Sequence, residues 1–323
     1  METARMKVAV LDDYQCVARQ YADWASLEHR TKITFYHDHV DEPTDLLRRL
    51  EPYQVICLMR ERTKLDATAL SQLPNLRLIV TSAMRNAAVD IVQARKMGIM
   101  VCGTGAVQTG TPELVWLHIL AFARNFEQER AGLRQGRWQV GVGRDLHGAT
   151  LGILGLGRIG QRVATVGCAF GMKVLAWSPN LTADRAAESG AEFASRHSLF
   201  ENADFLVLAM QLRPGTRGLV TRQDLLRMKS SAYLINTARA GLIDEQALLD
   251  ALRAGRIAGA GLDVFDTEPL PPAHPYRTLP NITLTPHLGY VTANTYQQFY
   301  TEMVQDIQAW LDQTPIRVLD GTE

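Results

Sequence analysis

Short apolar runs alternate with amphipathic stretches along almost the whole chain. Lys7–Leu11 (KVAVL), Ile33–Tyr36, Val55–Met59 (VICLM), Leu76–Thr81 and Ile99–Cys102 have the continuous hydrophobicity of strands buried on both faces. Between them, Tyr14–Leu27, Asp45–Leu50, Leu65–Leu73 and Val89–Met97 place apolar residues at helical spacing. Pro43 lies near the start of the second helix and Pro74 ends the third. This alternation predicts a parallel sheet covered by helices on both faces. Thr111-Pro112-Glu113 then opens a long helix to about Phe126, with Thr111 as N-cap, Pro112 at the first helical position and Glu113 at the positive dipole end. Gln128–Gly148 breaks the pattern, being polar, glycine-rich and basic around Gly136-Arg137-Trp138. Two readings stand: an extended arm reaching a partner subunit, or a surface loop with one half-buried Trp.

From Ala149 the alternation resumes. Strands are predicted at Ala149–Leu154, Lys173–Trp177, Asp204–Leu208, Ala232–Asn236, Ala258–Phe265 and Ile282–Thr285. Helices are predicted at Arg158–Phe170, Thr221–Met228 and Glu245–Ala254. Those strands suffice for a complete doubly wound dinucleotide domain. Ala293–Leu311 then returns as a long amphipathic helix, and Val318-Leu319 is placed to rejoin the first sheet. The expected fold class is α/β, with two doubly wound parallel-sheet domains: residues 104–291 inserted between residues 1–103 and 292–323. The chain then crosses between them near Gly103–Thr111 and near Tyr290, and an interdomain cleft is the expected place for a small ligand.

Composition narrows the function classes. The 323 residues suit two domains, and 46% apolar with 21% charged is ordinary for a globular chain. Lys+Arg and Asp+Glu are both 34, so no basic face speaks for nucleic acid or an anionic membrane. Cys16, Cys57, Cys102 and Cys168 lie far apart, without C-x-x-C or cysteine–histidine ligand spacing. They read as small buried hydrophobes in a reducing compartment, and no metal is expected. Met1–Met6 is too short and polar for a leader, and no apolar run is long enough to span a bilayer. A cytoplasmic protein is expected.

The most specific motif is Gly155-Leu156-Gly157-Arg158-Ile159-Gly160, a G-x-G-x-x-G between an apolar run and a helical one. Gly155 lets the chain turn sharply, Gly157 admits a pyrophosphate to the backbone, and Gly160 lets the helix pack close to the sheet. The helix N-terminus then offers free N–H groups and a positive dipole end to the phosphates.

Strand ends in such a sheet face the ligand crevice. After three successive predicted strands come Thr237-Ala238-Arg239, Asp266-Thr267-Glu268-Pro269 and Pro286-His287. An Arg fork can hold a carboxylate and polarise the adjacent carbonyl. A His can deliver a proton to that oxygen, and a carboxylate beside it favours the imidazolium and fixes its tautomer. Arg239, Glu268 and His287 therefore suit reduction of a 2-keto acid.

With these residues in view, the chain resembles the D-isomer-specific 2-hydroxyacid dehydrogenases. The segments carrying the resemblance are GILGLGRIGQRVA (152–164), LINTARAGLIDEQALLDAL (234–252), AGAGLDVFDTEPL (258–270) and LTPHLGY (284–290). Weaker similarities lie in RERTKL (60–65), MRNAAVD (84–90), TPELVW (111–116) and GTRGLV (215–220). The resemblance implies a Rossmann cofactor domain inserted in a flavodoxin-like substrate domain, and a catalytic set matching Arg239, Glu268 and His287. It implies cofactor contacts at Gly155, Gly157, Arg158, Ile159, Gly160, Ser178, Thr237 and Ala238. Asp263 matches the residue that contacts the nicotinamide carboxamide. Met84 and Arg85 match a substrate-carboxylate clamp, and Arg60 matches a position near the substrate in some members, against a solvated arginine. Trp138 resembles an arm residue that some relatives send into a partner's active site, so a homodimer through the cofactor domain and the 128–148 arm is implied. Glu268 stands where a formate dehydrogenase has Gln.

Two departures matter. NAD-selective relatives place an acid near the ribose after the second strand of the cofactor domain; here the stretch is Trp177-Ser178-Pro179-Asn180. Ser178 lies 23 positions after Gly155, close to the ~20 usual for that acid. With no carboxylate there, NADP is as well suited as NAD. Second, Ala240 stands where many relatives have Gly, tolerable unless that residue needs a positive φ. The expected function is an NAD(P)-dependent reductase of small 2-keto acids; the alternative is a non-enzymatic sensor of nicotinamide dinucleotides on the same fold.

Overall fold

The apolar runs become strands of two separate parallel sheets. The computed structural model describes residues 5–321. Residues 1–4 and 322–323, the outer ends of the expected first domain and part of the stretch read as too short for a leader, lie outside the described residues. The chain divides into one unit reaching to Val107 and resuming at Thr292, and a second unit of Gln108–Val291.

In the first unit β1 (Met6–Val10), β2 (Thr31–Phe35), β3 (Val55–Leu58), β4 (Leu78–Thr81) and β5 (Met100–Gly103) pair in the order β2-β1-β3-β4-β5. All neighbours are parallel. Ile56, Leu58, Ile79 and Val101 pack on one face with Leu50 and Leu70 from the helices and Leu65 from the loop before Ala67–Ser71. The helix Ala293–Leu311 buries Phe299, Tyr300, Met303 and Ile307. The C-terminal segment then rejoins the sheet edge as expected: Val318 bridges Cys102, and Leu319 N–H donates to Val101 O at 2.8 Å.

The second unit holds β6 (Thr150–Leu154), β7 (Lys173–Trp177), β8 (Glu192–Phe193), β9 (Phe205–Leu208), β10 (Tyr233–Asn236), β11 (Gly259–Leu262) and β12 (Ile282–Leu284). Their order is β12-β11-β10-β9-β6-β7-β8, so the order reverses between β6 and β9. Side chains alternate between the two faces as a strand requires. Phe205 and Val207 join one core with Leu151, Ile153 and Ile235. Leu206 and Leu208 join the other with Leu154 and Leu234. Among the described residues no helix is long and apolar enough to cross a membrane.

Several local expectations are corrected. The sheet of the second unit has one strand more than expected, because β8 is a two-residue exposed edge with no apolar run. The helix expected over Tyr14–Leu27 is broken into Ala18–Tyr21 and a 3-10 turn at Trp24–Leu27. Asp13 captures the N–H groups of Val17 and Ala18, Cys16 takes φ 58°, and Ala22 is extended. Thr111 does not cap its helix, which runs Gly110–Ala123; its hydroxyl donates to Gly289 O at 3.0 Å. The supposed arm begins as a helix, Phe126–Arg134, with Glu127 and Glu129 at its positive end, and is irregular only from Gln135 to Ala149. Trp138, at 78% exposure, is not half-buried. Cys57 and Cys102 are buried, but Cys16 sits in an open turn and Cys168 on an outer helix face; all four are free thiols.

A buried carboxylate yields one prediction. Asp306 is fully buried; one oxygen accepts from Arg317 Nε at 3.0 Å, and Oδ2 has no hydrogen-bond partner among the described residues. Burial raises its pKa from the ordinary 3.8 to about 7, against the pull of Arg317. Between those values the folded chain binds more protons than the unfolded one, so this group's contribution to stability falls as pH rises through that window and is level above it. Asp306→Asn, neutral at every pH, is expected to raise Tm at pH 8 by a few degrees and to leave it unchanged at pH 4. Thermal melts at both pH values check this, and an equal shift at both would contradict it.

Candidate active site

The reversal point between β6 and β9 is where an open parallel sheet leaves a crevice at its carboxyl edge. The chain leaves β6 there through Gly155, at φ +108°, whose N–H donates to Trp177 O at 2.8 Å. A Cβ on Gly155 would lie 2.8 Å from the Ala209 carbonyl. Gly160 is buried, and a Cβ there would lie 2.2 Å from Gly155 O. Gly157 differs: it is the exposed N-cap of the helix Arg158–Ala169, and an added Cβ would meet nothing within 4 Å. The backbone at Gly157 is thus open to an anion approaching the helix N-terminus, with exposed Arg158 and half-buried Ile159 beside it. Half-buried Ser178 and exposed Asn180 follow β7. Arg185, which sequence reasoning missed, reaches toward them: its Nη1 donates to Asn180 O at 3.4 Å.

Three further strand ends carry the expected residues. After β10, Asn236 folds the turn, with Nδ2 donating to Arg239 O at 3.0 Å and Oδ1 accepting from Ala238 N–H at 3.0 Å. Thr237 is buried, Ala238 and Arg239 are half-buried, and Arg239 Nη1 donates to Ala238 O at 2.7 Å. Ala240 begins a 3-10 turn and is not among the positive-φ residues, so the missing glycine costs no strain. Beyond β11, Glu268 Oε1 accepts from Phe265 N–H at 2.9 Å. Its Oε2 lies 2.6 Å from Nδ1 of His287, which follows β12. With Nδ1 donating, the carboxylate is fixed at both oxygens, and Nε2 is the nitrogen left to handle a proton. His287 itself is at φ 55°, an uncommon conformation for a side chain of its size.

Asp263 is fully buried at the end of β11, and burial raises its pKa. Both oxygens are engaged: Oδ1 accepts from Thr285 Oγ1 at 2.6 Å and Leu288 N–H at 2.7 Å, and Oδ2 from Gly289 N–H at 2.9 Å. Its partners in the structure are thus the loop bearing His287, a role that its place in a motif did not disclose.

The remaining expected residues belong to the first unit, at the carboxyl edge of β3 and β4. Arg60, at φ 54°, donates from its N–H to Ser82 Oγ at 2.7 Å and from Nη1 to Ser82 O at 3.3 Å. Its guanidinium also meets Glu61 at 3.5 Å, so it is not a solvated arginine. Met84 and Arg85 are exposed in the turn after β4. That turn is held by Ala83 N–H donating to Thr104 Oγ1 and by Asn86 Nδ2 donating to Arg60 O. Among the described residues no group of three or more His, Cys, Asp or Glu could hold a metal ion.

Comparison with known proteins gives the family. Residues 116–289 match the family model for the D-isomer specific 2-hydroxyacid dehydrogenase, NAD binding domain. The chain is 39% identical over 242 residues to a glyoxylate reductase of Aeropyrum pernix, covering 72% of each chain. It is 32% identical over 311 residues to a hydroxypyruvate reductase of Thermotoga maritima, covering 94% of this chain and 98% of that one. Among solved structures, a phosphoglycerate oxidoreductase from Vibrio cholerae superposes with a TM-score of 0.90 at 37% identity, covering 95% of this chain and 99% of the other.

Proposed function

The chain belongs to the D-isomer-specific 2-hydroxyacid dehydrogenase family, and from that premise we propose that it reduces small 2-keto acids to D-2-hydroxy acids, reversibly, with a nicotinamide dinucleotide. The observation that carries this reading is the 2.6 Å His287–Glu268 pair at the carboxyl edge of the nucleotide-binding sheet. A nicotinamide dinucleotide, when bound, would supply the hydride. Arg239 holds the substrate carboxylate and polarises the keto oxygen. Nε2 of His287 gives that oxygen its proton, and Glu268, 2.6 Å from Nδ1, fixes the tautomer and the direction of the ring. Gly157, Arg158 and Ile159 would hold the pyrophosphate at the turn that Gly155 and Gly160 shape, and Thr237 and Ala238 line the same edge. On the first unit, the Arg60 side chain and the backbone N–H groups of Met84 and Arg85 are the groups offered to a carboxylate. Absorbance assays of the purified protein with NADH and with NADPH, against glyoxylate, hydroxypyruvate and pyruvate, test the reading. Turnover of none of them would overturn it.

Cofactor choice follows from charge. The end of β7 carries Ser178 and Asn180, with the Arg185 guanidinium on the Asn180 carbonyl. A ribose 2′-phosphate meets no repulsion from these groups, so NADP is bound as readily as NAD. Ser178→Asp is expected to shift the ratio of kcat/KM values toward NADH by about tenfold or more, equal to ~1.4 kcal/mol. An unmoved ratio would place the selection elsewhere.

A second copy of this chain is the partner proposed for the second unit. An apolar groove of about 920 Å³ there is lined by Trp116, Leu117, Leu120, Phe126, Val166 and Phe170. The same unit exposes Trp138 and Val142, at 78% and 95%, on its irregular segment. A groove and protruding apolar side chains on the same unit suit a two-fold contact. The mass in solution checks it.

A further inference from the structure

The helix Gly110–Ala123 is apolar along most of its length, yet it buries a histidine completely. His118 faces β11, where Gly261 makes room: a Cβ on Gly261 would lie 2.9 Å from His118 Cβ, Cγ and Nδ1. Nε2 of His118 lies 3.2 Å from Thr285 Oγ1. The single hydroxyl proton of Thr285 already goes to Asp263 Oδ1 at 2.6 Å. The imidazole must therefore donate from Nε2–H, leaving Nδ1 as a bare acceptor, and Nδ1 indeed has no hydrogen-bond partner among the described residues. Burial lowers the pKa of this imidazole to about 4, so it is neutral at physiological pH.

The far end of this chain of hydrogen bonds is the loop bearing His287. Asp263 receives the Thr285 hydroxyl on one side of His287 and the N–H groups of Leu288 and Gly289 on the other. One carboxylate thus clamps the loop on both flanks of a residue held at φ 55°. Thr111, two helical turns before His118, adds a fourth hydrogen bond by donating to Gly289 O at 3.0 Å. A buried histidine with an orphaned nitrogen is a poor choice for packing alone, since an aliphatic side chain fills such a space without the desolvation cost.

We propose that His118 is a positioning residue: through Thr285 and Asp263 it holds the His287 loop in the left-handed turn that sets the direction of the imidazole. The inference rests on the reading of His287 as the proton donor, and it concerns a residue outside every motif of the chain.

The experiment compares His118→Leu with His118→Gln. Leu fills the space and removes the donor, whereas Gln carries an amide N–H to nearly the position of Nε2. For His118→Leu, kcat for 2-keto acid reduction falls roughly fivefold to tenfold, the worth of one buried hydrogen bond, with KM for the dinucleotide unchanged. Amide hydrogen exchange at Leu288 and Gly289 becomes faster. His118→Gln restores both readouts toward wild type. A side chain that merely fills space gives the opposite order, Leu tolerated and Gln damaging, and that result overturns the proposal. So does unchanged exchange in a folded His118→Leu. Thr285→Val cuts the chain of hydrogen bonds one step later and is expected to reproduce the His118→Leu exchange pattern; if exchange stays at wild-type level in this variant, the proposal is overturned. Exchange is read without substrate, so an inactive wild type would sink the reductase reading while leaving this test intact.

Discussion

His287→Ala is expected to lower kcat for ketone reduction by roughly 10²–10⁴-fold, the usual worth of a general acid, while dinucleotide binding persists. Nδ1 is committed to Glu268 at 2.6 Å, and Glu268 is committed in turn to the Phe265 N–H. Removing the imidazole leaves a carboxylate with no proton to pass on. The position at φ 55° adds a complication, because alanine at a positive φ carries strain of its own. Asn tolerates that conformation and supplies the control. Equal losses in His287→Ala and His287→Asn mark the defect as chemical; recovery in Asn would mean that only the turn mattered. Steady-state kinetics with dinucleotide fluorescence titrations read both terms. Wild-type turnover in either variant would falsify the assignment of the proton. The same variants separate an enzyme from a sensor of dinucleotides, since a sensor loses nothing that either measurement reads.

The residues that could be read from the sequence are those whose chemistry sits beside a simple periodic signal. Val207, Leu208, Leu234 and Ile235 lie in runs apolar on both faces, and such runs admit little but central parallel strands. Arg239, Glu268 and His287 follow the ends of β10, β11 and β12 within three to six residues, so placing the strands placed them. Residues that depend on tertiary partners stayed hidden. β8 has no hydrophobic run because it is an exposed edge. The break after Tyr14 depends on where the Asp13 carboxylate points, which no periodicity encodes. Asp263 could be found as a strand-end acid, but not its choice of partners, because Leu288 and Gly289 come to it only once β12 has paired with β11. His118 did leave a trace, one polar side chain on an otherwise apolar helix face, and that trace gains meaning only from Thr285 across the sheet.

The glycine turn gives the second large effect, because its residues part company under substitution. Gly160→Ala is expected to destabilise the fold by ~1–3 kcal/mol or more, lowering Tm by roughly 2–4 °C for each kcal/mol in a unit of this size. The added Cβ would lie 2.2 Å from Gly155 O. That carbonyl has little room to swing away, since Gly155 is tied to Trp177 O and pressed against the Ala209 backbone. The better helix propensity of alanine, about 1 kcal/mol, does not offset such an overlap. Gly157→Ala is expected to do the reverse. Its φ of −86° suits alanine, and its Cβ would meet nothing within 4 Å, so Tm should not change. Yet the methyl group would stand where a pyrophosphate approaches the helix N-terminus. Dinucleotide affinity should fall roughly tenfold to a hundredfold, the scale of one lost hydrogen bond to a charged group. Paired melts and titrations on the two variants are decisive: if Gly157→Ala binds the dinucleotide as wild type does, the phosphates do not lie against this turn, and the glycines serve only the packing of helix on sheet.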